Sequence, residues 1–212
     1  MAGDDRTFLG LYSGPGADGV DAAAVAIRHR RRRMTPRLLA AAFRPFRPEL
    51  RRALLAAAAG GATGAPELGG LDARVAEEFA AAARGLLAEL PAEAHPVRAI
   101  GCSGQPVAWG ARAGGLVELG VPAAIAAGAG LPVAAGFAAS DRAAGGVGGP
   151  VGAWADWRIL RDRRLSRVAV HLGSVASLSF VGSAAEPEDV VAFDVGPGTA
   201  VIDAVAERLT GR

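Results

Sequence analysis

Gly10 to Val25 reads GLYSGPGADGVDAAAV, and the way the chain leaves these glycines decides the fold. The stretch leading in, Arg6 to Ser13 (RTFLGLYS), is a short apolar run that suits a strand entering a glycine turn. Gly14-Pro15-Gly16-Ala17-Asp18-Gly19 formally matches G-x-G-x-x-G behind a strand, the opening of a dinucleotide-binding Rossmann unit if Asp21 to Ile27 coils into a helix. That reading expects an acid about twenty residues on for a ribose. None stands there, although the Arg30 to Arg33 run could grip a 2′-phosphate, as in an NADP enzyme. The opposing reading folds Asp21 to Ile27 back as a second strand. Alanine content favours helix and the Val-Ala-Ile alternation favours strand, so periodicity leaves both open.

Composition narrows the field. The 212 residues suffice for one large or two small domains, and 51% hydrophobic with 21% charged residues excludes global disorder. Thirty glycines and thirteen prolines imply many turns, while 5% aromatics beside abundant alanine imply a core of small side chains, which buries less apolar area per residue. Every cation is arginine. The absence of lysine excludes a Walker-type GK[ST] loop and a Schiff-base lysine. A net charge of +2 calls for no nucleic-acid partner, and the His29 to Arg33 run, without interleaved aromatics, reads as a solvated hairpin turn. Cys102 stands alone and His29, His95 and His171 lie far apart, so neither a disulfide framework nor a zinc motif is expected. Acids in MAGDDRTFLG suit a cytoplasmic start, and the uncharged stretch Leu119 to Ser140, broken by Pro122 and Pro132 and rich in alanine and glycine, is not expected to span a membrane.

Further along, Pro48 and Glu49 open a helix that Gly60 closes. Gly61 to Gly70 reads as a glycine-rich linker, after which Leu71, Val75, Phe79, Ala82, Leu86 and Leu90 recur at helical spacing until Pro91. Val97 to Cys102 reads as a buried strand, Pro122 to Gly128 as a short helix, and LPVAAGF as another strand. Such alternation argues for an α/β layer architecture. Asp141 to Gly152 (DRAAGGVGGPVG) is read as a loop at the boundary between two lobes. Val168 to Leu172, Val175 to Val181 and Val190 to Asp194 follow as strands, and Ala200 to Leu209 as a helix. A strand, a small-residue turn and a second strand thus occur at Phe8 to Ile27 and again at Val168 to Val181, the plan of the actin-like sugar kinases.

Four stretches, GLYSGPGADGVDAAAV, IGCSGQPVAW (Ile100 to Trp109), LPVAAGFAASDRAAGGVGGPV (Leu131 to Val151), and AVHLGSVASLSF with FDVGPGTAVIDA (Ala169 to Ala204), resemble the anhydro-N-acetylmuramic acid kinase family, in its order and at family-like separations. FRPFRPELRRALL and LDARVAEEFAAAA also look like the family's intervening segments, so the resemblance covers nearly the whole chain. It implies an α/β, actin-like (ribonuclease-H-like) sugar-kinase fold. Residues 1–136 would form the first lobe, 137–165 a glycine-rich interlobe segment and 166–212 part of a second lobe. The implied activity is hydrolysis of a 1,6-anhydro bond with ATP-dependent phosphorylation of O6, in amino-sugar and peptidoglycan recycling. The implied cofactors are ATP and Mg2+. Asp141 would be the catalytic carboxylate that takes a proton from water. Gly14, Pro15, Gly16, Ala17, Asp18, Gly19, Val20 and Asp21 would form the nucleotide loop, with Gly173, Gly196 and Gly198 at phosphate-side turns, since phosphoryl transfer rests on positioning and charge stabilisation. Gly104 and Gln105 would touch the sugar, and Asp194 would stand on the metal side.

The departures fall on polar positions. Pro15 replaces a threonine, removing a hydroxyl and a backbone donor, and each charge-assisted hydrogen bond lost is worth about 1.5–3 kcal/mol. Gly16 replaces a serine, Ser103 and Trp109 replace histidines, Val121 replaces an aspartate, and Gly136 and Ala138 replace the Asp and Arg of a DFR motif. Val147, His171, Ser174, Ser177, Val195 and Thr199 likewise replace polar or glycine residues of the family pattern. Family members also continue past the GPGN motif that Gly196 to Thr199 matches, into a glycine-rich adenosine pocket. The resemblance therefore implies little or no kinase activity from this chain alone. It also implies a homo-oligomer, or a companion chain supplying the rest of the lobe, or a scaffold half-kinase, with no nucleic acid or membrane among its partners. Cys102 is expected to be a small buried hydrophobe, Trp154 and Trp157 to pack or to form an interface, and Asp203 to be a surface or lobe-contact acid. Asp141 and Asp194 each have a purely structural reading as well, Asp141 as a cap of the glycine loop.

Overall fold

The computed structural model describes residues 5–30, 33–61, 63–94, 96–109 and 115–211. The chain falls into two compact units that divide between Gly136 and Phe137.

In the first unit, β1 (Asp5–Tyr12) runs into the glycine turn and returns as β2 (Gly19–Arg30), antiparallel, with Leu9 opposite Ala24 and Tyr12 opposite Asp21. Asp21 to Ile27 is therefore strand, and the dinucleotide-binding reading, which required a helix there, is overturned. The partners decide: Ala22 and Ala24 pair with Leu11 and Leu9, and Val20, Ala22, Ala24 and Ala26 are buried in strict alternation along one face of the strand. β3 (Arg33–Pro45) extends the meander; Arg31 and Arg32 of the arginine run lie outside the described residues. β4 (Val97–Cys102) and the two-residue β7 (Val133–Ala134) add parallel to β1, giving the mixed order β3-β2-β1-β4-β7. β7 is thus far shorter than LPVAAGF suggested. β5 (Gln105–Trp109) and β6 (Leu116–Leu119) form a separate hairpin.

Helices α1 (Pro48–Ala58) and α2 (Ala65–Glu89) supply the core of this unit. Proline in the first turn of each, followed by an acid, fits the unpaired N–H groups and positive dipole end of a helix start. α2 begins six residues earlier than the linker reading of Gly61 to Gly70 allowed. Pro66 and Glu67 start it, and tertiary packing carries it through Gly69 and Gly70. Leu71, Val75, Phe79, Ala82 and Leu86 are buried as their spacing predicted, and Leu90 follows just past the helix. α3 (Pro122–Ala129) crosses α2 so closely that a Cβ on Gly128 would come 2.8 Å from that of Ala80. Small residues let the backbones approach, and Arg84 donates across this contact to the Gly128 carbonyl at 2.8 Å. Cys102 is buried as expected, and burial pushes its thiol up to about 11.

The second unit begins at Phe137 and includes the stretch 137–165. Helix α4 (Phe137–Ala143) covers Asp141, so the loop expected from Asp141 to Gly152 starts after Ala143. Helix α5 (Ala153–Leu160) is followed by the antiparallel sheet β10-β9-β8, built from β8 (Arg167–Leu172), β9 (Val175–Val181) and β10 (Val191–Pro197), and then by α6 (Thr199–Thr210). β10 runs on through Gly196 and Pro197, which the sequence placed after its end. Trp157 is buried against Val181 and Ala185 and donates its indole N–H to the Ala185 carbonyl at 2.7 Å, whereas Trp154 is exposed beside it. Asp203 is exposed on α6.

Candidate functional site

The hairpin turn of the first unit is tied from beneath. Ser13, the first residue after β1, is buried, and its hydroxyl lies 2.7 Å from the Gly19 carbonyl and 2.5 Å from Gln105 Oε1. Its single proton is shared between these two acceptors. Gln105 is fully buried and spends both amide hydrogens, on the Gly14 and Pro106 carbonyls, each at 3.0 Å. Those two carbonyls fix which end of the amide carries nitrogen. Ser103 adds a second tie: its hydroxyl accepts from the Ser13 N–H at 3.4 Å, and its own N–H donates to the Leu11 carbonyl at 3.1 Å. Gln105, and Gly104 beside it, are thereby held against Gly14.

Backbone geometry shapes the rest of the turn. The Ala17 N–H donates to the Gly14 carbonyl at 3.1 Å, and the Asp18 carbonyl accepts from Phe46 at 2.9 Å. Ala17 is held at φ +47°, a left-handed conformation that costs an alanine about 1 kcal/mol and is characteristic of functional turns. Gly19 must be glycine because a Cβ would run into the Arg44 carbonyl. Pro15 and Gly16 lie at the tip, and Val20 is buried beneath it. On the open face Tyr12 stands opposite Asp21. Partial burial, and then the charge of Asp18, pushes the Asp21 carboxyl above its usual range; burial, then Asp21 and Asp18, raises the Tyr12 phenol.

In the second unit the predicted glycines also converge. The Gly198 N–H donates to the Ser174 carbonyl at 2.9 Å and Thr199 to the Gly173 carbonyl at 2.8 Å, joining the β8–β9 turn to the start of α6. A Cβ on Gly198 would strike the Gly173 carbonyl. Gly196 occupies a bulge of β10 at φ +150°. α6 starts at Gly198 without a side-chain cap, and the Thr199 N–H of its first turn is already spent on the Gly173 carbonyl. Asp194 lies opposite Ser177, which in turn lies opposite His171, making one polar row across the sheet. Among the described residues no three His, Cys, Asp or Glu side chains converge into a metal cage. Magnesium held by a single carboxylate, phosphate oxygens and water still fits Asp194. Asp141 accepts a 2.8 Å hydrogen bond from the Gly148 N–H through one carboxylate oxygen, so it caps the glycine loop as its structural reading anticipated.

Sequence reasoning missed Ser13, although a hydroxyl between a strand and a glycine turn is a recognisable tie. It also missed Asp156, which is buried and holds His171 Nε2 at 2.8 Å. Fifteen residues separate that pair, and no spacing rule announces it.

A glycine turn closing an antiparallel hairpin, braced by a buried Ser-Gln pair and followed by a second strand-turn-strand unit, defines an α/β protein with two hairpins closed by small-residue turns. The family model described as anhydro-N-acetylmuramic acid kinase matches residues 6–212, and the chain belongs to that family. The curated anhydro-N-acetylmuramic acid kinase of Salinibacter ruber is 34% identical over 96% of this chain and 53% of its own length. That of Streptomyces avermitilis is 37% identical over 96% and 51%, and that of Gloeobacter violaceus 33% identical over 98% and 56%. The chain spans about half the length of the curated relatives it matches. A solved exopolyphosphatase-like protein is similar with a TM-score of 0.46 at 17% identity, over 98% of this chain and 55% of that one. Among the described residues no helix is long and apolar enough to cross a membrane.

Proposed function

We propose that the chain is the phosphate-gripping half of an actin-like, ATP-dependent kinase for an anhydro amino sugar, and that these 212 residues alone turn the sugar over slowly or not at all. The observation that carries the reading is the β1–β2 turn, whose glycines, strained Ala17 and buried Ser13–Gln105 brace give it one fixed shape. A preorganised turn is what phosphoryl transfer asks of a protein, because that reaction is catalysed by positioning and charge stabilisation.

Residues 14–21 form the loop beside the phosphates, with Pro15 offering no N–H and Ala17 spending its own on the Gly14 carbonyl, and the turn at Gly173 and Gly198 stands on the phosphate side of the second unit. Asp194 supplies the carboxylate beside the metal, and magnesium, when bound, neutralises charge on the phosphates. Gly104 and Gln105 face the sugar, although Gln105 is so fully engaged in bracing the turn that its contribution is to position rather than to bind. Asp141 serves as the base toward water through the carboxylate oxygen that the Gly148 N–H does not use. The losses at Pro15, Ser103 and Gly136 weaken the grip on both substrates.

The test pairs two measurements on the 212-residue protein. MgATP at ten times its Kd should add about 1.4 kcal/mol and raise the melting temperature by a few degrees, while turnover of the anhydro sugar stays far below an ordinary kinase rate. Absence of any shift at millimolar MgATP refutes nucleotide binding and leaves a scaffold; turnover at an ordinary kinase rate refutes the incompleteness.

A further inference from the structure

The sheet of the second unit has its alternation the wrong way round for a free-standing domain. In the register of β8, β9 and β10, Val168 and Val170 share one face with Leu172, Phe180, Val191 and Phe193. All six are exposed, at 44–71%. The opposite face carries small and polar residues, Ala169, His171, Ser177 and Ser179 among them, yet it is the one that α5 covers, through Trp157 on Val181 and Asp156 on His171. A sheet that buries one face ordinarily buries its apolar one. Helix α6 repeats the pattern: Val201, Val205 and Leu209 fall four residues apart and are exposed, and no residue of the helix is buried. Both outer strands of the sheet, β8 and β10, also have a free edge. Open apolar surface of this extent marks an interaction site.

The occupant follows from a second, independent observation. Relatives that this chain matches over 96–98% of its length carry roughly as much polypeptide again, which the chain does not match. We propose that the apolar face of β8–β9–β10, with the stripe on α6, is the docking surface for that complementary half of the family's fold, borne on polypeptide other than these 212 residues. The inference rests on family membership and the open face, and it stands or falls separately from nucleotide binding.

The test joins the full 212-residue chain to the part of the Salinibacter ruber relative that its match leaves uncovered, and reads hydrophobic-dye fluorescence and amide exchange rather than activity. The chain alone should bind dye, and amides of β8 and β10 should exchange quickly. In the fusion, dye binding should fall severalfold and those amides should slow tenfold or more, with β1 and β4 unchanged as a control for folding of the first unit. Val170→Asp with Phe193→Asp should restore dye binding to the fusion; both positions are open in the chain alone, which should tolerate them. The same half co-expressed as a separate chain gives a second reading, with co-purification expected and its loss in the double variant. Unchanged dye binding and exchange on addition of that half overturn the proposal. So does a 212-residue dimer that already hides the face and is split by Val170→Asp with Phe193→Asp, since a second copy is then the occupant.

Discussion

The two units use the same device and finish it differently. Each contains an antiparallel hairpin with a small-residue turn, but Leu9 and Leu11 of the first are only 2% and 3% exposed, while Val170 and Leu172 of the second are 60% and 71% exposed. In the first unit two helices and a β-meander close over the apolar face, and α2 alone contributes eight buried side chains. In the second, the helix that packs on the sheet takes the polar face. A hairpin and its turn can therefore be locally correct without the layer that makes them a stable domain.

The sharpest way to break that comparison is a matched pair of truncations. Phe79→Ala, at a fully buried site, should cost the first unit about 3–5 kcal/mol, whereas Phe193→Ala, at a half-exposed one, should cost the second unit less than about 1 kcal/mol. Chemical denaturation followed by exchange at amides of each unit reads both, and equal losses would mean that the sheet face is covered after all.

Gln105→Ala probes the brace of the turn. It removes one of the two partners of the buried Ser13 hydroxyl and one of the two donors to the Gly14 carbonyl, leaves a void at a fully buried position, and should cost about 1–3 kcal/mol by calorimetry. It should also abolish the MgATP-dependent rise in melting temperature. Asp141→Asn, at the exposed loop cap of the second unit, should leave that rise intact.

The smallest effect is electrostatic. The folded Asp21 carboxyl titrates above its ordinary 3.8, so the unfolded chain ionises first as pH rises from there, and the folded state loses stability until its own pKa is passed. Asp21→Asn removes this loss. Its melting temperature should therefore exceed that of the natural chain at pH 7 and equal it at pH 3, and a variant less stable at pH 7 would show that the carboxylate is stabilising.

Helices whose periodicity faces one core were readable because burial enforces that periodicity: Val75, Phe79 and Leu86 are at once the pattern and the packing. Asp21 to Ile27 was not readable by composition, because alanine suits both states and only the partners, Leu9 and Leu11, decide between them. The start of α2 was hidden by Gly69 and Gly70, whose propensity tertiary contacts override. In the site, the glycine turns were legible because their backbones need glycine at Gly19 and Gly198. The Ser13–Gln105 brace and the Asp156–His171 pair were less so, since contacts 92 and 15 residues apart leave no local trace.

The central claim is that the turn after β1 cradles the phosphates of ATP. Amide exchange of residues 13–19, with and without millimolar MgATP, tests it directly. Slower exchange of the turn that disappears in Gln105→Ala is the result predicted. Equal exchange with and without nucleotide, or protection by MgATP confined to other parts of the chain, would contradict it.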